Sequence, residues 1–482
     1  MHLAVPINLA EVDIGRHIKN GELLFQGQTQ ILYKNFYSFT YPDYPFINHH
    51  WFFGVISFLL FHLAGFKGLE IFYIFLLVLS FGLSFDSARR YSSFNLALFA
   101  AGASLIMVVS RAEIRPEGIS VFFVALFFWV LQRFLQGNLS QKVLITALPL
   151  FQMIWVNTHI FFFLGPVLIA LFYWQARLSK APYDQIAFLK KILLIDIIVN
   201  VINPSGIFGM LTPLNGFKKF GYDLAENQTA FFMMHRFENV FVYKYYFIVA
   251  AFLILGMVLG LWHEKRKALP MVVLALFITL AAFRAVRLIM PFGFLFIPLI
   301  GYFYGPYIKK GWMNVLVGII AFAMILGCTV LFPQRPYLGL VPGINASADF
   351  FKGNNLKGPI FSNYDIGGYL IYYLGPEEKV FVDNRQEAFP VDFFRKVYIP
   401  MQSDPVVWKE MSSKYGFNLI YFFRRDLTPW GQSFLIDRIQ DPLWAPIFVD
   451  DNIIMFARRE SVNQEAIGRF ELPKAMFTIR RF

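Results

Sequence analysis

Between about residue 68 and residue 332, long apolar blocks alternate with short polar ones. Ten such blocks, at 68–86, 92–109, 118–135, 142–158, 160–176, 187–203, 245–262, 269–286, 289–306 and 312–332, come close to or reach the roughly 17 to 20 residues that carry a helix across a bilayer core. Backbone amides in lipid need partners within the segment itself, so these blocks predict helices. The stretch "WFFGVISFLLFHLAGF" (51–66) is shorter and interrupted by Gly and His. It predicts an interfacial or re-entrant helix; as a true span it would reverse the side of every later connection.

Beyond about residue 337 the pattern becomes that of a soluble domain. "GPIFSNYDIGGYLIYYL", "KVFVDNR", "FNLIYFF" and "NIIMFARR" read as strands, with helical pieces such as "DFFRKVYIPM" and "DPVVWKEMSSKYG" between them. The expected fold is mainly α: a polytopic transmembrane helical bundle of about ten spans with a small C-terminal α/β domain. Its parts are a first external segment with an interfacial helix (1–67), the bundle (68–335) and the α/β domain (336–482).

Composition strengthens the membrane reading. The chain has 482 residues, 57% hydrophobic and only 15% charged, which excludes an ordinary soluble domain. A net charge of +12 does not point to nucleic acid, because the basic residues concentrate in every second connection: "SARRYSS", "LQRFLQGNLSQK", "QARLSKAPYDQ", "WHEKRKAL" and "YIKKGW". By the positive-inside rule these face the cytoplasm. The other connections, the first 67 residues and the C-terminal domain then lie outside the cytoplasmic membrane. "MHLAVPINLAEV" is too short to span and has no basic leader, so an anchoring first helix is expected to be missing ahead of it. The single cysteine, Cys328, sits in an apolar block and reads as a small core residue.

The outer side receives most of the polar chemistry. The first segment brings Asp13, Arg16, His17, Asn48, His49 and His50; "RAEIRPEG" brings Arg111, Glu113, Arg115 and Glu117; later connections bring His159, Glu226, Arg284 and Arg287. Ionisable groups near membrane depth are costly and tend to be functional. Arginine forks suit a lipid phosphate, and a carboxylate can accept a proton from an incoming hydroxyl. Asp13 and His17 lie four apart and Arg284 and Arg287 three apart, each pair on one helical face. If a divalent metal is bound, its ligands would be Asp13, His49 and His50.

The order of these motifs resembles the GT-C superfamily of integral membrane glycosyltransferases. "DIGRHIKNGELLFQG" followed by "FYSFTYPDYPFINHHW" looks like that family's first external loop, and the likeness continues through "IRPEG", "WVNTH", "NPSG", "AENQ" and "RAVRLIMPF". "NYDIGGYLIYYLGPEEKVFVDNR" is similar to the external C-terminal domain of a largely uncharacterised branch. His50 stands where the family pattern often has Glu, and Arg16 where many relatives have Trp. The resemblance implies transfer of a sugar from a polyprenyl-phosphate-linked donor to a hydroxyl on a glycan, lipid or protein acceptor, on the outer side of the cytoplasmic membrane and with inversion of the anomeric centre. It implies Asp13 as the catalytic base or acceptor-positioning group. Arg115, Arg284 and Arg287 would hold phosphate, while His17, His50, Glu117 and Glu226 line the substrate pocket. Two other classes fit the same pattern: a polytopic transporter or flippase for an amphipathic solute, and a GT-C scaffold without activity.

Overall fold

In the computed structural model, which describes residues 3–216, 218–332 and 337–477, the chain divides into two compact units. A bundle unit comprises Gly68–Gly216 and Asp223–Leu338, with Met1–Val5. An α/β unit comprises Pro6–Lys67, Phe217–Tyr222 and Gly339–Phe482.

Each of the ten apolar blocks is helical in the bundle unit. Among the described residues, however, six helical runs are long and apolar enough to cross a membrane: Trp51–Arg89, Glu117–Leu135, Ile160–Leu178, Phe241–Arg284, Val286–Tyr304 and Trp312–Leu331. Six, rather than about ten, therefore meet that standard. Phe94–Val109 is apolar but shorter. Gln141–Thr158 is diluted by Lys142, Gln152 and Asn157, and Tyr183–Val199 carries Asp184, Lys190, Lys191 and Asp196. The run Phe241–Arg284 contains two helices that meet at Lys265, whose φ is +53°. The run Trp51–Arg89 is broken at Gly65, φ +62°, just before the boundary between the units, so "WFFGVISFLLFHLAG" belongs to the α/β unit.

Burial separates two kinds of apolar helix. Val286–Tyr304 is covered on nearly all sides by its neighbours, whereas Trp312–Leu331 is almost uncovered and presents Ile319, Phe322 and Val330 outward. An uncovered surface of that kind is compatible with lipid contact. One end of the bundle gathers basic connections: Asp86 binds Arg90 and Arg133 and accepts from the Trp129 indole, Arg90 reaches Gln136, and Ser93 donates to Asn314.

The α/β unit is built on a four-stranded sheet, β1 (Ile360–Ser362), β2 (Leu419–Phe423), β3 (Trp444–Val449) and β4 (Ile453–Arg458), in the order β1-β2-β4-β3. β1 and β2 are parallel, with Ile360 opposite Leu419; β4 is antiparallel to both β2 and β3. The parallel pair needs a long crossover, supplied by residues 363–418, whose helix Pro405–Tyr415 places Trp408 against Phe361. Asp450 closes the β3–β4 hairpin by accepting from the amides of Asn452 and Ile453.

Two strand expectations change. "IGGYLIYYL" contains the helix Gly367–Leu374, and "KVFVDNR" makes only isolated bridges, from Val380 to Ser38 and Ile360. β3 is a further strand that the sequence reading did not name; it contains Pro446, pairs with one neighbour alone as an edge strand can, and shifts register between Pro446 and Phe448. "DFFRKVY" winds as a π-helix, Phe393–Tyr398, before the α-helix Ile399–Ser403.

Candidate functional site

The opposite end of the bundle is chemically different. Helix Phe94–Val109 delivers Arg111, helix Glu117–Leu135 begins at Glu117, the short turn Ala225–Asn227 carries Glu226, and the turn Val286–Leu288 carries Arg287. Arg111 forks onto Glu117 and also donates to Glu226 at 2.8 Å. Arg115 binds Glu113 at 3.0 Å and reaches Glu226 at 3.4 Å. Arg287 comes within 4.0 Å of the same carboxylate and lies 3.5 Å from the carbonyl of Gly216. Three arginines from two connections thus surround one carboxylate supplied by a third.

Burial pushes the Glu226 carboxyl up, but the guanidiniums of Arg111, Arg115 and Arg287 outweigh it and hold the group down at about 2. For Arg111, burial lowers the guanidinium, while Glu117 and Glu226 more than offset this and fix its charge. Glu226 and Arg111 are consequently ionised at neutral pH. Charge-assisted forks of this type bind carboxylate and phosphate by the same geometry.

Of the predicted phosphate holders, Arg115 and Arg287 are in the cluster. Arg284 is more exposed and donates to the carbonyl of Asn227, at the edge of the same connection. Glu117 is buried as the partner of Arg111. His159 Nδ1 shares a hydrogen bond with Ser120 Oγ, which accepts from the Trp155 indole, both at 2.7 Å, so this histidine ties helices together. The members to which the sequence assigned no role are Arg111 and Glu113; their spacing in "RAEIRPEG" was the available signal.

In the α/β unit Asp13 occupies the N-cap position of helix Ile14–Phe25, yet its side chain makes no capping bond. It turns along the helix instead, meeting Arg16 at 2.8 Å and His17 Nε2 at 3.2 Å. Arg16 also donates to Asn384 at 3.0 Å. Asp13 is about one-fifth exposed while Arg16 and His17 are buried, so the carboxylate is the accessible member of the group. Burial first, and the Arg16 charge second, lower the His17 imidazole to about 4 against the pull of Asp13. At neutral pH it is uncharged, and its hydrogen bond orients the carboxylate without neutralising it.

Glycine explains how this group is enclosed. Asp13, His17 and Gly21 fall four apart, on one face of the helix. A Cβ at Gly21 would sit 2.3 Å from the carbonyl oxygen of Gly54, so only glycine lets the helix that starts at Trp51 come close. That approach sets His50 and Phe53 edge-on to His17, at ring distances of 5.5 and 4.9 Å. From the other direction Gly367 packs on Asp383, whose Cα would be 2.4 Å from an added Cβ. Asp383 is clasped by Arg385 at 2.8 and 2.6 Å, and Arg385 donates onward to Asn35. The neighbouring residue Asn384 is thereby held for Arg16. Asn384 is a site member that sequence reasoning missed, although "VDNR" was in view.

His49 stacks obliquely on His50, with ring centres 4.0 Å apart, and its Nδ1 faces the carbonyl of Ile47. Among the described residues no group of three or more His, Cys, Asp or Glu side chains is placed to hold a metal ion, and Asp13, His49 and His50 form no such group.

No protein-family model matches the chain, and no curated protein matches it.

Proposed function

We propose that this is a GT-C-type integral membrane glycosyltransferase that moves a sugar from a polyprenyl-phosphate-linked donor to an acceptor hydroxyl outside the cytoplasmic membrane. The observation that carries this reading is the three-arginine cluster at one end of an apolar helical bundle. A lipid-linked phosphate combines an apolar tail with an anionic head, and the bundle offers matching chemistry for both parts. Arg111, Arg115 and Arg287 bind the phosphate and stabilise the charge that it gains as the sugar–oxygen bond breaks. Asp13 accepts the proton of the attacking hydroxyl or orients that hydroxyl, with Arg16 and His17 fixing the carboxylate. Inversion of the anomeric centre is what the resemblance to the family implies.

On this reading the bundle makes about ten crossings, with the basic connections in the cytoplasm and the α/β unit outside. Purified protein in lipid nanodiscs, incubated with radiolabelled polyprenyl-phosphate sugars and candidate glycan, lipid and protein acceptors, tests it. Transfer by wild type, lost on Asp13→Asn or Arg287→Gln, supports the assignment. Transfer that survives both substitutions removes these residues from the mechanism.

A second reading, transport of an amphipathic solute, is favoured by one observation. Gln152, Asn200 and Asp196 are all buried within the bundle: Gln152 donates to Asn200 at 2.6 Å, Asn200 donates to the Asp196 main-chain carbonyl, and the Asp196 carboxylate has no hydrogen-bond partner among the described residues. Solute uptake into proteoliposomes that is lost in Asp196→Asn, with no sugar transfer, would establish that reading instead.

A further inference from the structure

Glu226 is held differently from the other carboxylates of its cluster. Glu117 is anchored in the first turn of a bundle helix and buried against Arg111, and Glu113 pairs with Arg115. Glu226 rides on a three-residue turn, Ala225–Asn227, flanked by extended residues Leu224 and Gln228, and it is shared by three arginines. Its grip on them is uneven. Arg111 makes a full hydrogen bond, Arg115 a long one, and Arg287 stops at 4.0 Å. The Arg287 Nε is buried and has no hydrogen-bond partner among the described residues. A carboxylate has two oxygens, so it cannot satisfy three guanidinium forks; a phosphate or diphosphate has more oxygens and more charge.

Charge counting gives the same answer. Among the described residues Arg111, Arg115 and Arg287 pair with Glu113, Glu117 and Glu226, three formal positive charges against three negative. With Glu226 withdrawn these described groups carry one net positive charge, and the arginine donors that faced its carboxylate are released.

We propose that Glu226 is a displaceable internal anion, occupying a three-arginine cradle that takes a phosphate group and yielding it when that phosphate binds. This rests on the donor-phosphate reading above and adds the counter-ion that the phosphate must replace. Because Glu226 remains ionised at neutral pH, it competes with the ligand. Removing its charge therefore raises phosphate affinity, whereas removing a residue that contacts the ligand favourably lowers it.

The test uses the full chain in phosphatidylcholine nanodiscs, with binding of inorganic pyrophosphate measured by calorimetry for wild type, Glu226→Gln and Glu226→Gln/Arg287→Gln. The single variant is expected to bind about tenfold tighter or better, with the gain falling at high salt and lost in the double variant. Unchanged or weaker binding by Glu226→Gln of both pyrophosphate and nanodisc-embedded polyprenyl phosphate overturns the proposal, as does absence of binding of both in every variant. A gain seen only with polyprenyl phosphate identifies a lipid-borne phosphate as the ligand; a gain with both identifies the phosphate group itself. Should Glu226→Gln misfold, Glu226→Asp, which keeps the charge but draws it back from Arg287, is expected to show a smaller gain, and no gain there overturns the proposal. Sugar transfer is scored separately. Tighter pyrophosphate binding without transfer by wild type leaves the displaceable anion standing and removes the glycosyltransferase reading.

Discussion

Glu226 accepts a hydrogen bond from Arg111 at 2.8 Å although 115 residues of sequence separate them. The pair ties two connections to the same end of the bundle, and Arg287 brings a third to it. The basic connections containing Arg90 and Arg133 meet at the other end, around Asp86. An apolar bundle with differently charged ends has a sidedness that can be measured.

That sidedness gives the first prediction. In a Cys328→Ala background, a membrane-impermeant maleimide is expected to label Arg284→Cys in intact cells and Lys180→Cys only after permeabilisation. Both positions are exposed and lie in connections of opposite type. Labelling of both from one side would contradict the alternation.

The second prediction concerns Asp13. Loss of a positioned general base typically costs about 10²- to 10⁴-fold in rate, so Asp13→Asn is expected to reduce sugar transfer by that order. Its thermal stability should change little, because the amide oxygen of Asn can still accept from Arg16, which also donates to Asn384. A large fall in melting temperature would instead mark Asp13 as structural.

Arg385 should behave in the opposite way. It neutralises Asp383, which is fully buried, and stacks on Tyr37 and Phe46. Arg385→Ala leaves that carboxylate uncompensated and is expected to cost about 3–5 kcal/mol. Limited proteolysis of the full chain should then cut within Gly339–Phe482 much faster than in wild type.

The fourth prediction is a pair of pH windows. The folded His17 titrates at about 4 against an ordinary 6.5, so the unfolded chain takes up its proton first, and stability is lost as pH falls from about 6.5 towards 4. The folded Glu226 titrates at about 2 against an ordinary 4.5, so its contribution is full above 4.5 and is lost as pH falls from there towards 2. Melting temperature measured against pH should lose the upper dependence in His17→Gln and the lower one in Glu226→Gln.

The last prediction tests the packing beside Asp383. Gly367→Ala forces a Cβ to 2.4 Å from the Asp383 Cα, a backbone atom that cannot swing aside. Overpacking of this kind costs about 1–3 kcal/mol. Gly353→Ala, where nothing lies within 4 Å, is the control and should be close to neutral on melting.

Much of the candidate chemistry was legible because apolar blocks fix which connections fall on the same side. Arg115, Glu226 and Arg287 could be grouped from that alternation before any contact was known. Arg111 and Asn384 were harder. Arg111 stands two residues from Glu113 and four from Arg115, so its role depends on which way the turn into helix Glu117–Leu135 points it. Asn384 lies 368 residues from the Arg16 that it accepts from, and no local pattern reports such a pairing.

That the bundle is helical and apolar is written in the order of residues alone, since the length and period of hydrophobic blocks are local properties of the chain. The same holds for Asp13, His17 and Gly21 sharing one helical face. Long-range packing was needed to make "IGGYLIYYL" a helix and "WAPIFV" a strand, because partners distant in sequence override weak local preference. It was needed too for the N-cap carboxylate of Asp13 to turn to Arg16 and His17, and for Glu226 to lie among three arginines. Those outcomes depend on desolvation and charge at a meeting of separate segments, and neither exists until the segments meet.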